Sequence, residues 1–226
     1  AFALLEATAR RVQPPAARAS LLLDAAILAD EALNTPAEAA RLLMDAAQAD
    51  PHLRRSVNAR LDDLAARHGG DEAVATLLTE HWHQLGDDVR LQQVLERAVE
   101  GGDPETRVAR RLALAQHTED RLGDPARAFA QYREGLSRGE GDLAPFAEGM
   151  RRTGALGVPG ALRSMSEQFE RLELWRPLVG ALEDAADVAA DDGERAALLY
   201  RAGEILEKHL DDLEGAMRHY VRAFQT

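Results

Sequence analysis

One segment recurs five times along the chain, and it sets what the fold can be. Each copy has a Leu, a small or apolar residue six positions on, and a large residue four beyond that. The copies read LNTPAEAARLL from Leu33, LGDDVRLQQVL from Leu85, LGDPARAFAQY from Leu122, LELWRPLVGAL from Leu172 and LDDLEGAMRHY from Leu210. Ten residues past each leading Leu stand Leu43, Leu95, Tyr132, Leu182 and Tyr220, and three further on Ala46, Ala98, Gly135, Ala185 and Ala223. Registered matches of this kind mark an internal repeat. The steps between copies alternate, at 52, 37, 50 and 38 residues. The short step holds one helical hairpin. The long step leaves room for an extra helix, near 51–68 and 142–153, so the larger unit is about 88 residues. Its copies superpose as Ala39, Ala128 and Ala216, and as Trp82 with Phe169.

Composition decides what kind of element repeats. Among 226 residues there are 43 Ala and 33 Leu against 11 Val, 2 Ile and 8 Thr. These are helix formers, with little left to build a sheet from. Aromatics at 4% suit thin seams between helices better than one large core. Helices are expected near 2–12, 16–33, 36–49, 52–68, 71–84, 88–100, 104–121, 125–138, 143–153, 159–173, 176–191, 194–209 and 212–225. Before the first, third and fifth turns the helices repeat as well. Small residues stand seven before the Leu, at Ala26, Ala115 and Gly203, and an Arg fifteen before it, at Arg18, Arg107 and Arg195. Pro14-Pro15, Asp103-Pro104 and Asp192-Gly193 supply the start signals.

A hairpin with one apolar stripe cannot bury it alone, so neighbours stack and share seams, with small residues where helices cross. The expected fold is an all-α solenoid of 12–13 helices in stacked antiparallel hairpins. It divides into a partial repeat at 1–15, super-repeats at 16–102 and 103–191, and a partial third at 192–226. Five helices per super-repeat is an odd number. Either one helix per unit is irregular, or hairpin partners change between units. Leu5 precedes Arg18 by the same thirteen residues as Leu182 precedes Arg195. The chain is therefore expected to be a segment of a longer array.

Charge and chemistry exclude more than they assign. The formal charge is −12, with 26 Arg and the single Lys208, which argues against nonspecific binding to nucleic acid or anionic membrane. No apolar run approaches the length of a membrane span and there is no cysteine, so a soluble chain is expected, in the cytoplasm, with the periplasm as alternative. The Arg and Ala excess reads as a GC-rich genome. His81 and His83 flank Trp82, but i,i+2 spacing puts two rings on opposite sides of a helix and not on one metal. His68 reads as a helix-end residue, while His117, His209 and His219 lack a ligand partner at helical spacing. The pairs Asp62-Asp63, Asp87-Asp88, Asp191-Asp192 and Asp211-Asp212 read mostly as helix starts and caps. No phosphate loop, nucleophile elbow or HExxH is present. No catalytic residue, metal or cofactor is expected.

The segments LGDPARAFAQYREGL and LDDLEGAMRHYVRAF resemble the tetratricopeptide repeat (TPR). Gly123, Asp124, Ala128, Tyr132 and Leu136 match its pattern, as do Ala216, Tyr220 and Ala223; Ala39, Leu43, Ala46 and Asp50-Pro51 match less closely. The departures are steps of 37–38 or 50–52 residues in place of 34, and the loss of most helix-A aromatics. The resemblance implies a right-handed superhelix with a concave face that binds peptides or proteins, like the arrays of large bacterial scaffold proteins. Carried over by position, the groove would be lined by Leu23, Ile27, Asp30 and Glu31; then Leu112, Gln116, Glu119 and Asp120; then Tyr200, Glu204, Glu207 and Lys208. Such a lining favours a basic segment. The family's carboxylate clamp needs Lys, Arg and Asn there and is not expected.

A second surface is suggested by charge alone. Residues 103–166 carry 10 bases to 9 acids, unlike the acidic flanks. Arg107, Arg110 and Arg111 share a helical face, with Arg151-Arg152 later, and could grip an acidic partner or pair with neighbouring acids. Trp82 and Trp175 are expected to pack in seams. The function expected is a non-catalytic scaffold that binds a protein, in bacterial motility, polarity, secretion or signalling. The alternatives are an architectural spacer or oligomerisation arm, and a regulatory sensor array attached to an effector domain. Apolar edges make end-to-end self-association a further expectation.

Overall fold

The computed structural model describes residues 2–9 and 11–226. Among the described residues there are thirteen α-helices and no strand. They are α1 (Phe2–Ala9), α2 (Pro15–Ile27), α3 (Pro36–Ala49), α4 (Arg54–His68), α5 (Glu72–Leu85), α6 (Asp88–Ala98), α7 (Pro104–Asp120), α8 (Pro125–Arg138), α9 (Ala144–Gly154), α10 (Ala161–Arg171), α11 (Trp175–Val188), α12 (Asp192–His209) and α13 (Leu213–Gln225). Two compact units follow the chain, Ala1–Arg110 and Arg111–Thr226. No helix among the described residues is long and apolar enough to cross a membrane.

Every leading Leu of the repeated segment is followed by a residue in the left-handed region. These are Asn34 (φ 50°), Gly86 (66°), Gly123 (62°), Glu173 (55°) and Asp211 (52°). The next residue then opens the second helix of the pair. Asp87, Asp124 and Asp212 each accept the backbone N–H three residues on, at 3.1, 3.0 and 2.8 Å. This is the N-cap the segment's Asp suggests. Asp62-Asp63 differs: it lies inside α4, where Asp62 accepts from Arg90 and Asp63 from Arg67.

The five turns close in two ways. At the first, third and fifth, the N–H of Thr35, Asp124 and Asp212 reaches back six residues, to Ala29, Thr118 and Leu206. At the second and fourth, Asp87 and Leu174 reach back five, to Trp82 and Phe169. The wider closure is most developed at the first turn. There the expected helix 16–33 becomes α2 followed by a π-helical segment, Leu28–Ala32. Elsewhere the differences are at ends. Gly160, at φ 70°, delays α10 to Ala161, and α11 stops at Val188, short of the expected 191.

The core of the first unit gathers Leu22, Leu42, Val57, Leu61, Leu64, Leu78 and Trp82, with Arg90 stacked 5.2 Å over the indole. That of the second gathers Tyr132, Phe146, Met150, Phe169, Leu178, Leu182 and Leu199. Each fully buried large side chain contributes roughly 1.5–3 kcal/mol. The repeated small residues do what their size permits. Ala26, Ala115 and Gly203 are all buried, and the Tyr220 ring lies against Gly203.

Candidate binding faces

Three sets of residues fall at corresponding places on α2, α7 and α12, and the structure treats the first two alike. On α2 and its π-helical extension, Leu23 and Ile27 are half-buried and Glu31 is exposed. Asp30 accepts from both terminal nitrogens of Arg67, at 2.6 and 3.2 Å, with His68 Nε2 at 3.5 Å. Its side chain is only 13% exposed. The Arg67 hydrogen bonds hold its carboxyl below the usual aspartate value against the opposing effect of burial. A cleft of about 90 Å³ is lined here by Ile27, Asp30, Glu31, Leu43, Arg60 and Arg67. It is far smaller than a typical ligand pocket.

On α7, Leu112 is half-buried, while Gln116 and Asp120 are exposed. Glu119 takes the fork of Arg152, with Nε at 2.6 Å and Nη2 at 2.7 Å, and also the Tyr132 hydroxyl at 2.7 Å. Its side chain is 11% exposed. The bidentate arginine lowers the Glu119 carboxyl, and burial together with Glu119 raises the Tyr132 phenol.

On α12 the same positions are left open. Tyr200 is 55% exposed, with its ring 5.1 Å from that of Tyr220. The Tyr220 hydroxyl donates to Glu207 at 2.7 Å, thirteen residues apart, as Tyr132 and Glu119 are. This bond pushes the Tyr220 phenol up to about 12. Glu204 accepts from Lys208 at 2.6 Å. No guanidinium sits on Glu207 among the described residues.

The acidic lining is thus unequal. Asp30 and Glu119 each belong to an ion pair within the protein, and both arginines come from the extra helices, α4 and α9. Arg67 was not among the residues the sequence singles out, and Arg152 was grouped with the basic patch. A salt link 33 or 37 residues long leaves no periodic signature; only the shared Tyr–Glu spacing was there to be read.

The arginines of the expected basic patch have hydrogen-bond partners within the chain. Arg107 donates to the Gly102 carbonyl at 3.0 Å, and Arg110 to those of Gly101 and Ala98 at 3.1 and 3.3 Å. They close the end of the preceding helix and its loop. Arg111 is buried, 6% exposed, and bonds Glu140 at 3.0 Å. Arg151 pairs with Glu148 and Asp184. Of Arg107, Arg110 and Arg111 only Arg111 is buried, and the spacing that groups them carries no sign of these partners. Arg195, the counterpart of Arg107, likewise donates to the carbonyls of Ala186 and Ala189.

Trp82 is buried, and Trp175 stacks on His209 with centroids 3.8 Å apart. His219 is buried between the Gly215 carbonyl and Glu183, each at 2.8 Å. Among the described residues no group of three or more His, Asp or Glu side chains is placed to hold a metal ion. No known protein-family model matches the chain, and no curated protein matches it.

Proposed function

We propose that the chain is a TPR-like α-solenoid segment, built on an 88-residue super-repeat, that works as a non-catalytic protein-binding scaffold. The right-handed stacking is part of this proposal, as is a cytoplasmic, bacterial setting. The recurrence that supports the repeat is local. The left-handed residue after each leading Leu, the alternation of wide and narrow turn closures, and the Tyr132–Glu119 and Tyr220–Glu207 pairs all keep the register of the sequence repeat.

One observation carries the binding reading: on α12 the 55%-exposed Tyr200 has its ring 5.1 Å from that of Tyr220, beside the carboxylates of Glu204 and Glu207. Two exposed or half-exposed tyrosines beside two carboxylates suit a partner that offers apolar contact and positive charge. Aromatic side chains supply contact area at low entropic cost, and the acids steer a basic partner toward them.

The test is capture from native lysate across a salt series, with the chain and its Tyr200→Asp variant compared. The expected result is a specific protein lost at moderate salt and lost with the variant. Equal capture by both forms, or none by either, contradicts the reading and favours a spacer.

A further inference from the structure

The two extra helices end differently, and the difference opens a cleft. In the first sequence repeat α4 runs on to His68, residues 69–71 lead to α5, and Arg97 closes the corner: a Cβ on Gly69 would stand 2.9 Å from that of Arg97. In the second, α9 stops at Gly154 and the longer connection 155–160 leads to α10. Asp184, two past Leu182 as Arg97 is two past Leu95, turns to Arg151, and the corner stays open.

The opening is a cleft of about 270 Å³, against about 90 Å³ beside Asp30. Ala161, Leu162 and Met165 of α10 form one wall, and Ala181, Ala185 and Val188 of α11 the other. Gly154 closes one end, where a Cβ would stand 3.0 Å from Met165 Cε. Gly157 and Gly160, at φ 87° and 70°, mark the open side, with nothing within 4 Å of the place a Cβ would take. Leu156 and Val188 stay 65% and 78% exposed beside it. The size falls just short of an ordinary ligand site and suits one ring or branched chain, not a helix.

One polar group in this lining has an atom to spare. Asp184 Oδ2 accepts from Arg151 Nη1 at 2.5 Å, while its Oδ1 has no hydrogen-bond partner among the described residues. The side chain is 32% exposed, in a setting where a charge-assisted hydrogen bond is stronger than in open water. Arg163, the other charged group of the lining, is held by Glu167 at 2.9 Å. The surroundings are acidic. From Glu183 to Glu194 the chain carries six acids and no base, and Asp187 and Asp192 stay 69% and 74% exposed although Arg222 and Arg195 pair with them. Such a field draws a cation and repels an anion.

We propose that this cleft binds a small organic amine, with an aromatic or branched apolar body between α10 and α11 and its ammonium group on Asp184 Oδ1. The carboxylate then serves Arg151 and the ligand together, as its lone pairs allow. The site shares no residue with the Tyr200–Glu207 face and goes beyond the scaffold reading, giving the chain a ligand of its own. Charge complementarity selects the amine over an aromatic or fatty acid, and the size of the cleft selects it over a second copy of the chain.

The nitrogen-15-labelled 226-residue chain is titrated with phenethylamine at neutral pH and followed by amide chemical shifts. Saturable shifts at Gly157, Gly160 and Ala185 are expected in the millimolar range, as a ligand this small permits. Phenethyl alcohol keeps the body and loses the charge, and binds about tenfold more weakly; phenylpropionate does not saturate. Asp184→Asn erases the preference for amine over alcohol while the alcohol still binds, a result that a folding defect would not give. Ala185→Leu fills the cleft and abolishes the shifts with both. Absence of saturable shifts with phenethylamine overturns the proposal, as does equal binding of the amine and phenylpropionate, or saturation only at amides away from the cleft. A chain that dimerises in sedimentation and is made monomeric by Leu156→Asp also overturns it, because a second copy then covers the cleft. If phenethylamine fails while lysate capture still depends on Tyr200, this inference falls and the scaffold reading stands.

Discussion

The ring of Tyr132 lies so close over the backbone of Gly149 that a methyl group on that glycine would stand 2.3 Å from Cε1. The contact is returned three residues away on each helix, where a methyl group on Gly135 would stand the same 2.3 Å from the ring of Phe146. Two aromatics and two glycines therefore lock α8 to α9. Both rings are fully buried, so neither can move aside without opening a void.

Gly149→Ala and Gly135→Ala are each expected to destabilise the protein by about 1–3 kcal/mol through overpacking. Gly70, where an added Cβ meets nothing within 4 Å, serves as the control. Gly70→Ala should change stability by no more than about 0.5 kcal/mol. Urea denaturation of the three variants checks this, and equal midpoints would contradict the interlock.

The Arg67–Asp30 and Arg152–Glu119 pairs set a pH dependence whose sign is fixed. Both carboxyls titrate lower in the folded protein than their ordinary values of 3.8 and 4.5. The stability they contribute is present above those values and is lost as pH falls through the folded ones. In Glu119→Gln the fall in melting temperature below pH 4.5 should be shallower than in the parent. At the alkaline end Tyr220 acts in the opposite sense. Its contribution is present below 10 and is lost as pH rises toward about 12.

Two of the left-handed turn positions carry residues poorly suited to them. Glu173 and Asp211 have φ of 55° and 52°, where glycine fills the equivalent places at Gly86 and Gly123. Relief of that strain should outweigh the entropy glycine adds to the unfolded chain, so Glu173→Gly is expected to stabilise by about 0.5–1 kcal/mol. Asp211→Gly should gain less, because Asp tolerates this conformation better. Melting temperatures read both.

Arg195 has the work of a cap. It donates to the carbonyls of Ala186 and Ala189 at the end of α11. Arg195→Ala should cost about 1 kcal/mol and speed amide exchange through residues 186–192, leaving α13 unchanged. An unaltered exchange pattern there would show that the arginine is idle.

Much of the helix layout was legible because its signals are local. Asp87, Asp124 and Asp212 mark starts, Gly86 and Gly123 mark turns, and Ala or Leu fills the spans between. The boundaries of α3 and α8 fall at the residues expected. The π-helical segment Leu28–Ala32 was not legible, since nothing in LADEA departs from the pattern of the α-helix that precedes it. For the binding faces, periodicity placed Asp30, Glu119 and Glu207 in equivalent positions but could not say which are covered. That depends on the long-range partners Arg67 and Arg152. The same limit applies to Arg111, whose burial against Glu140 has no trace in its spacing from Arg107.

The proposed scaffold meets its partner on the Tyr200–Glu207 face. Its most direct test is a photo-cross-linking amino acid placed at Tyr200 in the otherwise unaltered protein, with exposed Arg163 as a second position, and irradiation in the native cell. An adduct with one protein is expected from position 200, weakened by Glu207→Lys, and none from position 163. Adducts from both positions alike, or from neither, would contradict it.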